Sequence, residues 1–244
     1  MVSRYSDKVT RRLFVRTFGC QMNRYDSERL VEILAGEQFE PVEDYVKADL
    51  IFINTCTVRD KAEQKAFSYL GRLKTLKRNR PGLIVALGGC VAQQYGEDLL
   101  VRWPHLDLVV GTHCISKIPA MLARYEATGE RQAWVDFSYD FGDEPNGRPQ
   151  IWRQEVSAYV TIMRGCDNYC TYCIVPMVRG SERSRPSAEI IREVESLVGC
   201  GVREVTLLGQ NVNSYGQGIT GEPDFAGLLR RVAEVEGLLR IRFT

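Results

Sequence analysis

The sequence predicts an α/β fold in two parts: an N-terminal parallel sheet covered by helices, then a second, shorter strand-helix unit. Three observations predict it. Short apolar runs alternate with helical stretches along the first half, the periodicity stops between 128 and 154, and it resumes near Val156.

The elements follow in order. Residues 13–18 read as a strand and 26–35 as a helix; 49–54 and 58–79 repeat the pair, with Pro81-Gly82 ending the second helix. The unit recurs twice more, as 83–88 into 91–101 and 106–110 into 116–126. Continuous apolar runs of this kind are expected of strands buried on both faces. The stretch Phe141-Gly142-Asp143-Glu144-Pro145-Asn146-Gly147-Arg148-Pro149 is turn-rich and polar. We therefore expect domains over 11–128 and 155–244, joined by a linker over 129–154. The second domain reads as strand 157–163, helix 187–199 with Ser187 as its cap, strand 204–208, helix 225–235 and strand 239–243. Three strands and two helices do not close a barrel, so the chain is expected to be the front part of a longer protein.

Composition narrows the function classes. The 244 residues are 44% hydrophobic, 26% charged and 9% aromatic, which excludes disordered and collagen-like chains. No apolar run reaches the roughly 18 residues of a membrane span, and the N-terminus lacks a signal-peptide core, so a cytoplasmic protein with no membrane partner is expected. Thirty-two basic residues against 31 acidic ones leave a net charge of +1. Any nucleic-acid partner must therefore be held by a local patch. Eight cysteines are the anomaly, and in such a chain they read as metal or redox ligands rather than disulfides.

Cys166, Cys170 and Cys173 place three thiols within eight residues, in a loop that contains Gly165 and follows a strand. Thiolates at such spacing hold iron–sulfur clusters, usually with four cysteines. With three, one iron of a 4Fe-4S cluster is left open to another ligand, as in catalytic metal sites. A structural zinc site is the alternative; it needs a fourth ligand, and none lies between Cys173 and Cys200.

Cys20, Cys56 and Cys90 are 36 and 34 residues apart, about one strand-helix-strand unit each. Each sits just past the carboxyl end of an expected strand, where open parallel sheets bind ligands. Gly19, Gly88 and Gly89 fit a backbone that approaches a bulky cofactor. The reading is a second three-cysteine cluster site; three ordinary buried cysteines are the alternative. Cys114 and Cys200 read as structural, and His105 and His113 as structural or surface residues rather than ligands. Arg72, Lys74, Lys77, Arg78 and Arg80 read as a solvated helix end. Arg179, Arg183 and Arg185 are placed to hold a phosphate backbone or a cofactor carboxylate, or to pair with Glu182 or Glu189. The carboxamides of Gln210 and Asn211, after a strand, either face the active end of a barrel or form a turn.

Cys166-x3-Cys170-x2-Cys173, with Tyr172 before the last cysteine, resembles the radical S-adenosylmethionine (SAM) motif. The earlier triad resembles that of the methylthiotransferase family of those enzymes. Phe18-Gly19-Cys20-Gln21-Met22-Asn23, Asn54-Thr55-Cys56, Met163-Arg164-Gly165-Cys166, the stretch from Arg179-Gly180 to Arg185, and Leu208-Gly209-Gln210-Asn211-Val212-Asn213-Ser214-Tyr215 resemble its tRNA-acting branch.

The resemblance implies a Rossmann-like parallel-sheet domain followed by the first part of a radical SAM (β/α) partial barrel. It implies two 4Fe-4S clusters, on Cys20, Cys56 and Cys90 and on Cys166, Cys170 and Cys173. The later cluster binds SAM, with Tyr172 near the adenine and Gln210 and Asn211 also contacting cofactor. It further implies a tRNA substrate, an electron donor such as a flavodoxin or ferredoxin, and addition of a methylthio group to carbon 2 of N(6)-isopentenyladenosine next to the anticodon. Alternatives are methylthiolation of a ribosomal-protein aspartate, an iron–sulfur electron carrier or redox sensor, and a zinc-dependent RNA-binding module. Oligomeric state is not encoded in any of these features.

Overall fold

The computed structural model describes residues 10–137 and 155–244, so the turn-rich stretch 141–149 lies outside the described residues. The chain divides into two compact units, Met1–Gly19 with Asp26–Asp136 and Cys20–Tyr25 with Phe137–Thr244.

The first unit carries β1 (Arg11–Phe18), most of α1 (Gln21–Ala35), β2 (Phe39–Pro41), β3 (Leu50–Thr55), α2 (Asp60–Asn79), β4 (Ile84–Gly89), α3 (Cys90–Tyr95), α4 (Asp98–Arg102), β5 (Leu108–Val110), α5 (Ile118–Thr128) and β6 (Gln132–Trp134). Its six strands form one sheet in the order β2-β1-β3-β4-β5-β6. Every pairing is parallel. The apolar runs of β3 and β4 are buried throughout because helices cover both faces. Alternate residues serve alternate cores: Leu50, Phe52, Ile84 and Ala86 pack into one, Ile51, Ile53, Val85 and Leu87 into the other.

Helix α2 begins with Asp60 and Glu63 and ends with Lys77 and Arg78, charges that complement the helix dipole. Its basic end is not wholly solvated. Lys77 Nζ lies 2.7 Å from Asp107, whose carboxylate also accepts from the Val85 N–H at 2.8 Å and the Tyr125 hydroxyl at 2.7 Å. Arg80 donates to the Val46 carbonyl and to Asp49. Arg72, Lys74 and Arg78 are exposed as expected.

Two local expectations are corrected. The helix expected over 91–101 is two, α3 and α4, because Gly96 between them adopts φ 51°. Gln132–Trp134, inside the expected linker, adds strand β6 to the sheet edge. A strand of three residues is too short to show periodicity, and the same holds for β2.

The second unit contains β7 (Ser157–Thr161), β8 (Met163–Arg164), α6 (Val175–Arg179), β9 (Arg183–Ser184), α7 (Ser187–Gly199), β10 (Glu204–Leu208), α8 (Phe225–Ala233) and β11 (Arg240–Phe243). Strands β11-β10-β7 form a parallel sheet, the repeating strand-helix unit of a (β/α) fold. The strand expected over 157–163 turns at Ile162, and Met163–Arg164 pairs with Arg183–Ser184 in a separate antiparallel ladder. Helix α7 buries Ile190, Val194 and Leu197 against Val160, Val205 and Leu207. Ser187 is its first helical residue rather than its cap. Its N–H donates to Glu222 at 2.8 Å and its hydroxyl accepts from Arg231 at 2.9 Å. Among the described residues, no helix is long and apolar enough to cross a membrane.

Candidate functional site

The parallel register aligns the carboxyl ends of three neighbouring strands: Phe18 pairs with Thr55, and Thr55 with Gly89. Cys56 and Cys90 are the next residues of their strands, and Cys20 comes two residues after Phe18. Cys56 and Cys90 are buried. The Cys56 N–H continues the ladder to the Phe18 carbonyl at 3.0 Å, and its sulfur accepts from the Val58 N–H at 3.4 Å. Cys20 is half-buried. The Asn23 side chain reaches back to its N–H at 3.3 Å, closing the first turn of α1 as an N3 residue does for a cap.

Beneath these ends lies a polar network that the apolar reading of β3 passed over. Asn54, fully buried, donates to the Ser27 hydroxyl at 3.0 Å, which lies 2.8 Å from the Thr17 hydroxyl. A buried amide beside two hydroxyls fixes the backbone from which Cys56 projects. The available signal was one asparagine inside a strand otherwise apolar until its last residue.

The glycines separate into two roles. A side chain on Gly88 would meet the Phe52 ring at 2.2 Å, so packing against that ring requires this glycine, not a cofactor. Gly89 turns the chain with φ 91° immediately before Cys90.

In the second unit the three clustered thiols share one loop. Gly165 opens it with φ 75°, and a side chain there would strike the Ser181 and Gly180 carbonyls at 2.1 and 2.5 Å. The Cys166 N–H donates to the Gly180 carbonyl at 3.2 Å, and the Cys173 N–H to the Cys170 carbonyl at 2.9 Å. Cys166 is buried, Cys173 half-buried and Cys170 exposed. Tyr172 stands 92% exposed, its ring clear of the described residues.

The arginines after this loop differ from one another. Arg185 is buried; it donates to the Thr161 carbonyl at 2.8 Å and pairs with Glu193 at 2.6 Å, a partner beyond the expected Glu182 and Glu189. It braces the sheet. Arg179 is buried at the end of α6, and Arg183 belongs to the β8–β9 ladder. In the loop after β10, Gly209 is required by Met163, whose Cγ lies 2.6 Å from where a side chain would begin. Gln210 turns a buried side-chain oxygen inward with no hydrogen-bond partner among the described residues. Asn211 uses its carbonyl to hold the Ser214 N–H and hydroxyl at 3.0 and 2.9 Å.

Among the described residues, no three His, Cys, Asp or Glu side chains gather into the ligand shell of a single metal ion. Neither triad is drawn that close. The donor sets are nevertheless those of iron–sulfur chemistry: all eight cysteines are free thiols, three of them on one loop and three just past strand ends. Cys114 is buried, which pushes its thiol upward from the usual range, and Cys200 is exposed at the end of α7. His105 is buried and bonded through its ring to the Leu70 carbonyl at 2.8 Å, and His113 is likewise buried.

Residues 12–111 match the family described as "Uncharacterized protein family UPF0004", and residues 160–244 match the Radical SAM superfamily. A tRNA-2-methylthio-N(6)-dimethylallyladenosine synthase of Geobacter metallireducens is 54% identical over 240 residues, covering 95% of this chain and 52% of that protein. The protein of the same name from Syntrophobacter fumaroxidans is 50% identical, covering 96% and 51%. The chain thus spans about half the length of the curated relatives it matches. Among solved structures, the radical SAM methyltransferase TsrM of Kitasatospora setae superposes with a TM-score of 0.60 at 15% identity, over 95% of this chain and 54% of that one. At that identity the likeness is one of fold.

Proposed function

We propose, for a chain that belongs to the methylthiotransferase family of radical SAM enzymes, that it forms the catalytic part of an enzyme adding a methylthio group to carbon 2 of N(6)-isopentenyladenosine next to the anticodon of a tRNA. The observation that carries this reading is the occurrence of two separate three-cysteine sets, one past aligned strand ends and one on a single loop. On this reading residues 11–136, strand β6 included, form the sulfur-donating domain and 155–244 the radical SAM core.

Cys166, Cys170 and Cys173 would hold one 4Fe-4S cluster, and Cys20, Cys56 and Cys90 the other. When bound, the first supplies an electron for reductive cleavage of SAM and the second the sulfur to be inserted. The protein's part is ligation and orientation. Gly165 and the Cys166–Gly180 hydrogen bond set the loop so that Cys166 is covered while Cys170 and Cys173 remain accessible. The unsatisfied Gln210 oxygen offers an acceptor to a donor such as the amino group of SAM, with Asn211 beside it. Tyr172, exposed and aromatic, is available to lie against the adenine. The Asn54–Ser27–Thr17 network holds the strand end that carries Cys56. An electron donor such as a flavodoxin or ferredoxin completes the reaction, and on this reading the enzyme works in the cytoplasm, where its RNA substrate is.

The test is anaerobic reconstitution with iron and sulfide, followed by incubation with isopentenylated tRNA, SAM and a low-potential reductant. Chromatography of digested RNA is expected to show the 2-methylthio nucleoside. Modification of a ribosomal-protein aspartate peptide instead, with RNA untouched, would overturn the assignment of substrate. Cluster reduction without any SAM cleavage would leave an electron carrier.

A further inference from the structure

We propose that the outer face of α2 and the adjoining end of β1 form a binding surface for an RNA phosphate backbone, centred on Arg16, Phe18, Lys65, Tyr69 and Arg72. It deepens the substrate reading above and rests on it. With an overall charge of +1, the chain can hold a polyanion only through a local concentration of cations, and this face is one.

Strand β1 is paired with β2 only through Arg11, Arg12 and Leu13, so beyond Leu13 no strand among the described residues pairs with it on that edge. Arg16 and Phe18 lie on the same face of β1 as Phe14, two and four residues on. Phe14 packs in the core under α2, and its ring lies 6.4 Å from that of Tyr69. The Phe18 and Tyr69 rings are 6.1 Å apart. The Arg16 guanidinium lies over Phe18 at 5.5 Å and the Arg72 guanidinium over Tyr69 at 5.6 Å. Lys65, Tyr69 and Arg72 share a helix face by their spacing of four and three.

Three features distinguish this face from an ordinary solvated helix. From Gln64 to Asn79 the helix contains no carboxylate. Among the described residues, Arg16, Lys65 and Arg72 are exposed and make no ion pair, in contrast to Arg12, Lys77 and Arg80 nearby. The Arg16 and Arg72 guanidiniums rest on the Phe18 and Tyr69 rings rather than on carboxylates. A guanidinium resting on a ring keeps its N–H edge free for bidentate phosphate contact. Planar guanidiniums with free N–H edges and no competing carboxylate match the repeated phosphates of an RNA backbone.

The test is binding of a fluorescein-labelled RNA hairpin of anticodon-arm size to the reconstituted chain, by anisotropy across a salt series. R16Q/K65Q/R72Q is expected to weaken binding about tenfold or more near 0.1 M salt, and to lower the slope of log K against log salt by about two to three, close to one for each phosphate no longer neutralised. R16K/R72K, which keeps charge but loses the planar group, is expected to lie between. R192Q, at an exposed arginine of α7, serves as control. Unchanged affinity and slope in the triple variant, with circular dichroism confirming its fold, overturn the surface while leaving the RNA reading intact. No RNA binding by the unsubstituted chain, or displacement by polyglutamate but not by unlabelled RNA, overturns it as well. Failure of methylthiolation with RNA binding preserved sinks only the reaction chemistry.

Discussion

The hydroxyl of Tyr215 donates a 2.7 Å hydrogen bond to the carbonyl of Arg185. Tyr215 is fully buried and closes the loop that follows β10, while Arg185 leads into α7. The loop is held from both sides, since the Gly216 N–H also donates to the Ser184 hydroxyl at 3.0 Å. Burial raises the Tyr215 pKa, so the hydroxyl keeps its proton and remains a donor throughout the working pH range. This tie fixes the loop carrying Gln210 and Asn211.

Tyr215→Phe removes only the hydroxyl and is expected to destabilise the protein by about 1 kcal/mol. Urea unfolding is the check, and a midpoint equal to that of the unsubstituted chain would show that the bond contributes nothing.

Gly88→Ala is expected to cost about 1–3 kcal/mol, because the new methyl group overlaps the Phe52 ring. If packing is the cause, Phe52→Leu in the same chain recovers part of the loss. Thermal unfolding of the two single variants and the double variant forms the cycle. Strict additivity would show that the clash with Phe52 is not the cause of the loss.

Asp49 accepts from the Arg12 guanidinium at 2.9 and 3.1 Å and from the Arg12 N–H at 2.9 Å. That hydrogen bonding holds its carboxyl below the usual range, against a smaller opposing effect of burial. A depressed pKa stabilises the fold above the unfolded value, near 4, and this contribution is lost as pH falls through the folded one. The stability advantage of the unsubstituted chain over Asp49→Asn should therefore be present at neutral pH and shrink below about pH 4. Because the pair is partly exposed the difference is small and should also fall with added salt. Denaturant titrations at neutral and acid pH decide it; a constant difference across that range contradicts the linkage.

Cys114 and Cys200 should differ sharply in chemistry. The buried Cys114 thiol is pushed upward by burial and donates to the Asp136 carbonyl at 3.4 Å. Cys200 is exposed. Iodoacetamide under native conditions is expected to label Cys200 readily and Cys114 only after unfolding. Mass spectrometry of peptides gives the order, and early labelling of Cys114 would refute its burial.

Much of the fold was legible because its signals are long. β3 and β4 are continuous apolar runs, and helix α7 and strand β10 have the bounds their patterns imply. What escaped was short or set by distant residues. β2 and β6 have three residues each, and α1 starts at Gln21 rather than Asp26 because Met22 and Tyr25 are buried in a small cluster with Leu208. The site divides similarly. Cys166, Cys170 and Cys173 stand out by spacing alone. The alignment of Phe18, Thr55 and Gly89 follows only once the strand order is known. The pairing of Arg185 with Glu193 depends on the helical face of α7, which presents residue 193 to it.

These two triads, and no other cysteines, are proposed to hold one four-iron cluster each. Iron and sulfide analysis after anaerobic reconstitution tests this most directly. About eight irons per chain are expected, falling to about four when Cys20, Cys56 and Cys90 are all replaced by Ala, and to about four when Cys166, Cys170 and Cys173 are. Cys114→Ser and Cys200→Ser should leave the content unchanged. Retention of all the iron in either triple variant, or loss of a cluster in either serine variant, would contradict the assignment.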